Sequence, residues 1–252
     1  MIKSKKLSKI KTIKHGFFNK NGGKSKGIYK SLNCGIGSKD KKKLVLQNLT
    51  IVKNKISKNS KNIFLVHQVH SNKFVFLNKI PKDYKRIKAD AIITNVEKLP
   101  IAVLTADCAP ILLYDNKKKM VATIHAGWKG AYKGIILKVI NFMLKKGCNR
   151  KNITAAIGPC ISKKSYKVKD DFKRKFLKKN KKNVIFFKER NNFIYFDLPK
   201  YIKYQLKLMK ILKIDYINID TFDRKNNFFS ARQSLNSNHV DYGRNISLIM
   251  IN

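Results

Sequence analysis

Acidic residues are what this chain most conspicuously lacks. Fourteen Asp and Glu stand against 57 Lys and Arg, a formal net charge of +43. So one-sided a balance ordinarily points to nucleic acid, a membrane surface or a phosphate-bearing ligand. Arginine is scarce too, at seven of the 57 basic residues. Guanidinium provides the bidentate fork that reads guanine or grips phosphate, whereas lysine is a less directional point charge. Lysine spread evenly among Asn and Ile reads as base-composition bias, so the charge names no function and no specific nucleic-acid partner is expected.

Histidine and cysteine are also few. The five histidines are His15, His67, His70, His125 and His239. A blue-copper centre plus a trinuclear copper cluster needs about ten, so that assembly is excluded. Cys34, Cys108, Cys148 and Cys160 show no C-x-x-C spacing, which removes a ribbon-type zinc site and a redox dithiol. Long apolar runs are missing as well. The best, residues 100–114, contains Asp107 and falls short of the about 18 residues of a membrane span. The opening MIKSKKLSKIKTIKHG has no continuous apolar core of a signal peptide. A cytoplasmic protein with reduced thiols is expected.

What is present is a globular composition: 252 residues, 43% of them hydrophobic, without an internal repeat. Residues 63–70 read as a strand, with Phe74–Leu77 as its neighbour. Strands at 89–94, 101–105, 111–114 and 120–124 continue the pattern, and Asp115-Asn116 signals a hairpin turn. From Gly134 to Lys146 the period changes. Ile135, Ile136, Val139, Ile140 and Met143 share a helical face, and Gly147 suits the stop. A strand at 153–157 follows, then helices at about 169–178 and about 198–213, the second capped by Asp197 with Pro199 in its first turn. Further strands are expected at 184–187, 193–196, 216–219 and 246–250. Runs of strands precede the first helix, which favours an α+β fold over a doubly wound sheet.

Several polar residues sit where a plain core would not place them. His70 ends one apolar strand, His125 ends another just before a helix, and Cys108 lies between two apolar runs. Strand ends and helix starts converge on clefts, and two imidazoles with one thiolate suit a zinc site that keeps one position open. His67 should face away from His70, since residues three apart in a strand point to opposite sides. Each residue also has a bland reading, as a core thiol or a satisfied edge histidine, and spacing alone does not choose between them. Asn21-Gly-Gly-Lys-Ser-Lys-Gly27 reads as an anion-approaching turn or a surface loop. It lacks the G-x-x-x-x-G-K-[ST] spacing of a nucleotide-hydrolase loop.

These segments together resemble a known family. The pieces are His15-Gly-Phe, Asn21-Gly-Gly, Tyr29-Lys-Ser-Leu-Asn33, Gln68-Val-His70, Ala89-Asp-Ala91 and Ala106-Asp-Cys-Ala-Pro110. They continue with His125-Ala-Gly-Trp-Lys-Gly130, Ile157-Gly-Pro-Cys-Ile161, Tyr166-Lys-Val168, Phe228-Phe-Ser-Ala-Arg232 and Gly243-Arg244. In number, order and spacing they are similar to the YfiH (DUF152) group, whose members have been called laccase-domain proteins, polyphenol oxidases, peptidoglycan-editing factors and purine nucleoside phosphorylases.

The resemblance implies one α+β domain over residues 1–252, a mixed and antiparallel sheet sandwich with flanking helices. It implies a Zn2+ ion, with Cu2+ as the alternative, held by His70, Cys108 and His125, of which Cys108 and His125 are also the catalytic candidates. The implied reaction is phosphorolysis of inosine or adenosine, with adenosine deamination and methylthioadenosine cleavage beside it. Lys20, Lys129, Arg232 and Arg244 are the expected phosphate-binding residues. Lys20 replaces a family Arg, keeping the charge but losing the fork. Asp220-Thr221 stands where the family often has Cys-Thr, and Arg232-Gln233 where it has Arg-Arg. The alternatives are a Cys108–His125 thiol hydrolase acting on cell-wall precursors, a copper-dependent polyphenol oxidase, and a non-catalytic basic RNA-binding protein.

Overall fold

A computed structural model describes residues 1–83 and 86–252. In chain order the strands are β1 (Ile13–Phe17), β2 (Phe64–Leu65), β3 (Phe74–Leu77), β4 (Ala91–Thr94), β5 (Ile101–Thr105), β6 (Ala109–Asp115) and β7 (Met120–Ala126). They continue as β8 (Ile153–Ile157), β9 (Lys167–Val168), β10 (Phe187–Arg190), β11 (Phe193–Phe196), β12 (Lys213–Tyr216) and β13 (Asn245–Ile251). The helices are α1 (Lys5–Ser8), α2 (Lys42–Ile56), α3 (Trp128–Tyr132), α4 (Ile135–Lys145), α5 (Asp170–Lys179), α6 (Leu198–Leu208) and α7 (Ala231–Asn236).

A six-stranded sheet, β12-β8-β6-β7-β4-β3, lies against a four-stranded one, β1-β13-β5-β2. The two-residue period of the strands explains the layering. Along β6, Ile111 and Leu113 face a cluster shared with α4 and α6, including Ile136, Val139 and Ile202. Leu112 and Tyr114 face the other way, into a cluster between the sheets with Phe17, Ile101 and Ile249. The far side of the smaller sheet, Ala102, Ile246 and Leu248, packs on Val52 and Ile56 of α2. The result is helix, sheet, sheet, helix, a mixed α+β sandwich with flanking helices. A separate three-stranded sheet, β10-β11-β9, packs Phe196 into the same cluster as α4 and α6. Among the described residues no helix is long and apolar enough to cross a membrane.

Some elements differ from expectation. Only Phe64–Leu65 of the 63–70 run is a strand; beyond it His67 makes only an isolated bridge to Lys88, and His70 turns to φ +56°. Phe74–Leu77 pairs in parallel with β4 rather than with that run. The 198–213 helix stops at Leu208, since Lys210 adopts a left-handed φ of +59°, and the strand expected at 216–219 runs instead over Lys213–Tyr216, parallel to β8. Residues 184–186 form a 3-10 turn capped by Asn180, and strand begins at Phe187. Helix α2 was not expected. Its Lys-rich sequence hides a stripe of Val45, Asn48, Val52 and Ile56 that becomes visible only once it is buried.

Candidate metal centre

The β6–β7 hairpin builds the centre of the site. Ala109 pairs with Ala126 and Pro110 with His125, so Cys108 and Gly127 continue the ladder as neighbours. Position 127 has no room for a side chain unless its neighbours shift: a Cβ there would lie 2.7 Å from Cys108 Sγ and 3.1 Å from His70 Cδ2. Glycine is needed for close approach, not for a special turn.

His70 arrives on the loop after β2. Gln68 clasps that loop to β5, donating from Nε2 to the Leu104 carbonyl at 2.7 Å and accepting from Leu104 N–H at 2.7 Å. Asp90, fully buried, ties the turn down. Its carboxylate accepts from His70 N (2.9 Å), Ser71 N (2.6 Å) and Ser71 Oγ (2.7 Å). The same carboxylate accepts from His125 Nδ1 at 2.8 Å. That bond fixes the imidazole's orientation and leaves Nε2 as the nitrogen available to the site.

His70 Nε2 lies 3.8 Å from Cys108 Sγ, and the two imidazole centroids are 4.7 Å apart. The three donor atoms all lie within 4.8 Å of one another. His67 is exposed and bridged to Lys88, outside this group. The residue before the thiol is equally fixed. Asp107 holds a left-handed φ of +80°, unusual for a non-glycine, while its buried carboxylate accepts from Thr221 Oγ1 (2.7 Å), Ser230 Oγ (2.8 Å) and Arg232 N (2.7 Å).

Burial alone would push the Cys108 thiol up, but the His125 and His70 imidazoles override it and bring it down to about 6. Burial would likewise lower His125, yet the Cys108 sulfur and the Asp90 carboxylate raise it to about 9. Burial would raise Asp90, and His125 and Ser71 hold it at about 2. A readily deprotonated sulfur flanked by two imidazole nitrogens, one oriented by a carboxylate, is a donor set that fits a borderline-soft metal.

A cleft of about 240 Å³ opens over the three donors, with Gln68, Arg86, Tyr242 and Arg244 in its wall. Of the four cations expected to bind phosphate, Arg244 lines it. The Arg244 guanidinium donates to the Tyr242 carbonyl at 2.8 Å and sits 3.3 Å from Asp241. Arg232 donates to the Lys167 carbonyl at 2.9 Å and lines a neighbouring pocket with Trp128 and Tyr166. Lys129 is exposed, its Nζ 5.7 Å from the Trp128 ring centre. Lys20 knits its loop through the backbone, receiving Ser31 N–H and Leu32 N–H on its carbonyl. The departures at 220 and 221 are built in: Asp220 accepts from Ser162 Oγ and Ser165 Oγ at 2.6 Å each, and Thr221 supports Asp107.

Sequence reasoning gave no role to Asp90, Gly127 or Arg86. The first two lay inside quoted motifs, which was a usable signal. Arg86 lies in none.

Two packed sheets with an N/S/N group at a strand-end cleft define the class: an α+β protein with His70, Cys108 and His125 grouped so that they could hold a metal ion. Residues 14–252 match the family described as multi-copper polyphenol oxidoreductase laccase, and the chain belongs to that family. It is 31% identical over 230 residues to a purine nucleoside phosphorylase of Rickettsia prowazekii, covering 89% of this chain and 90% of that protein. A purine nucleoside phosphorylase of Rickettsia conorii is 34% identical over 200 residues, covering 77% and 82%. The crystal structure of Bacillus licheniformis YfiH superposes with a TM-score of 0.86 at 25% identity, covering 95% of this chain and 93% of that one.

Proposed function

We propose that the protein is a zinc-dependent purine nucleoside phosphorylase, converting inosine or adenosine and phosphate to the free base and ribose 1-phosphate. The observation that carries it is the convergence of His70, Cys108 and His125 in a cleft that also presents Arg244, in a chain whose relatives bear that enzyme's name. Bound zinc would supply a Lewis acid at the floor of the cleft. Everything else falls to the chain. Asp90 keeps the His125 Nδ1 proton and with it the ring's orientation. Gly127 leaves the space the donors need. Arg244, pre-set by Tyr242 and Asp241, offers N–H groups to an oxyanion. In the reaction an oxygen of hydrogen phosphate bonds the sugar carbon as the bond to the ring nitrogen breaks, and the base leaves with the proton that hydrogen phosphate gives up. Charge developing on sugar and base makes fixed cations and dipoles the main catalytic resource.

The test is hypoxanthine release from inosine while phosphate is titrated. Release that depends on phosphate and yields ribose 1-phosphate is expected; an equal rate without phosphate, yielding free ribose, overturns the assignment. Methylthioadenosine cleavage and adenosine deamination belong to the proposal as side activities, the latter read as inosine formed from adenosine. A multi-copper oxidase mechanism is not adopted, because five histidines are too few for its copper set.

One observation favours a second reading. Cys108, His125 and Asp90 also form a thiol–imidazole–carboxylate series, with the sulfur at about 6, the arrangement of a thiol hydrolase. Metal-stripped protein separates the two: lost activity supports the phosphorylase, and full hydrolytic activity supports the thiol.

A further inference from the structure

Two of the chain's seven arginines, Arg86 and Arg244, line the cleft above the three donors. They differ in how far they are committed. The Arg244 guanidinium is occupied by the Tyr242 carbonyl and by Asp241, and it lies 4.7 Å from the Tyr242 ring centre. Its charge is partly answered before any ligand enters. Arg86 is half-buried and has no hydrogen bond or ion pair to a described residue. A guanidinium in a cleft with five N–H donors and no acceptor bonded to them among the described residues is a recognition element for an oxyanion.

The segment that follows Arg86 is anchored to the loop that carries His70. His67 N–H donates to the Ile87 carbonyl at 2.9 Å, and Ala89 N–H donates to the His67 carbonyl at 3.1 Å. A residue further on, Asp90 orients His125 and closes the His70 turn. One short run of chain thus sets both the donor geometry and the placement of a free guanidinium. Lys20, standing where the resemblance expects an arginine, does not line this cleft, and neither do Lys129 or Arg232.

We infer that Arg86 fixes inorganic phosphate in the cleft, opposite Arg244, and so supplies the bidentate fork that position 20 lacks. This rests on the phosphorylase reading for its substrate. Phosphate enters as a dianion, Arg86 takes two of its oxygens, and the nucleophilic oxygen is left facing the sugar. No bond is made or broken at Arg86; it positions a reactant that it touches.

The test is titration of inorganic phosphate into the zinc-loaded full chain, followed by calorimetry and phosphorus NMR at about 0.15 M salt, where surface charge is largely screened. Wild type, Arg86→Gln, Arg86→Lys and Arg150→Gln are compared. Arg150 is an exposed arginine away from the cleft, so its variant corrects for the loss of one positive charge. Arg86→Gln should bind phosphate at least about tenfold more weakly than Arg150→Gln, as expected for loss of a charge-assisted pair. Its phosphate KM should rise in step, with inosine KM, zinc content and thermal midpoint unchanged, and Arg86→Lys should fall between. Equal phosphate affinity in the Arg86→Gln and Arg150→Gln proteins overturns the inference. If wild type releases hypoxanthine without phosphate, the phosphorylase reading falls, while the binding titration still decides whether Arg86 holds the anion.

Discussion

Two histidines in this protein are buried almost equally, His15 at 3% exposed and His125 at 4%, yet they are driven to opposite charge states. At the N-terminal corner, His15 Nε2 accepts from Ser4 N–H at 2.9 Å. Burial, with Lys3 nearby, lowers it to about 4. In the cleft, His125 donates to Asp90 and faces the Cys108 sulfur, and those negative partners overcome the same burial and raise it to about 9. Desolvation has one sign for both rings; the neighbour decides the outcome. A donor opposite an imidazole demands the neutral ring, whereas a carboxylate accepts from either form and favours the charged one. One histidine therefore serves only the fold, while the other is poised for chemistry.

The largest expected effect comes from removing the partner that makes the difference. Asp90→Asn keeps one acceptor oxygen but removes the charge and sets an N–H donor where the second oxygen took Ser71 or His70 and His125. Metal affinity should fall about 10–100-fold, and stability by about 3–5 kcal/mol, as when one member of a buried pair is lost. Metal content and urea unfolding measure the two. Wild-type metal affinity in this variant would mean that His125 does not depend on its carboxylate.

A pH titration sharpens the other half of the comparison. The folded pKa of His15 lies below its unfolded value of 6.5. The unfolded chain therefore binds more protons in the window between, and stability is present above pH 6.5 and lost as pH falls toward 4. Across that window the loss is about 3 kcal/mol, read from thermal unfolding at a series of pH values. His15→Gln keeps an acceptor for Ser4 N–H and cannot take the proton, so its profile should be flatter over the same range. An unchanged slope would assign the acid loss to other groups.

The smallest effect is steric. Gly127→Ala brings a methyl to 2.7 Å from Cys108 Sγ, and the crowding should cost about 1–3 kcal/mol. Metal affinity should drop without a shift in the pH dependence of stability below 6.5. Full metal occupancy with unaltered stability would show that the hairpin gives way at no cost.

The strands that form the heart of the molecule were legible because their signals are local. Ile111–Tyr114 and Met120–Ile124 are short apolar runs on either side of an Asp-Asn turn, and they pair as an antiparallel hairpin buried on both faces. The α4 face of Ile135, Ile136, Val139, Ile140 and Met143 was likewise read from spacing and is buried as expected. The candidate site was legible in part. His70, Cys108 and His125 are chemically distinctive at strand ends. Asp90 is legible only as a motif member, because a buried Asp in sequence looks like any turn residue until His70, Ser71 and His125 close on it. Arg86 carried no pattern, and the four cations singled out were chosen by resemblance rather than by place.

The sequence by itself determined the apolar runs of its strands, the amphipathic faces of α4, α5 and α6, the hairpin turn and which three residues are candidates for the site, since each depends on neighbours a few residues apart. Only the tertiary structure decided that β3 runs parallel to β4 and that a lysine-rich stretch becomes α2. It also decided that Asp90 reaches His125 across 35 positions and that Arg86, not Lys20, lines the cleft. The reason is physical: periodicity constrains φ and ψ, whereas partners distant in the chain are chosen by which packing buries the most apolar surface and leaves the fewest polar groups unpaired.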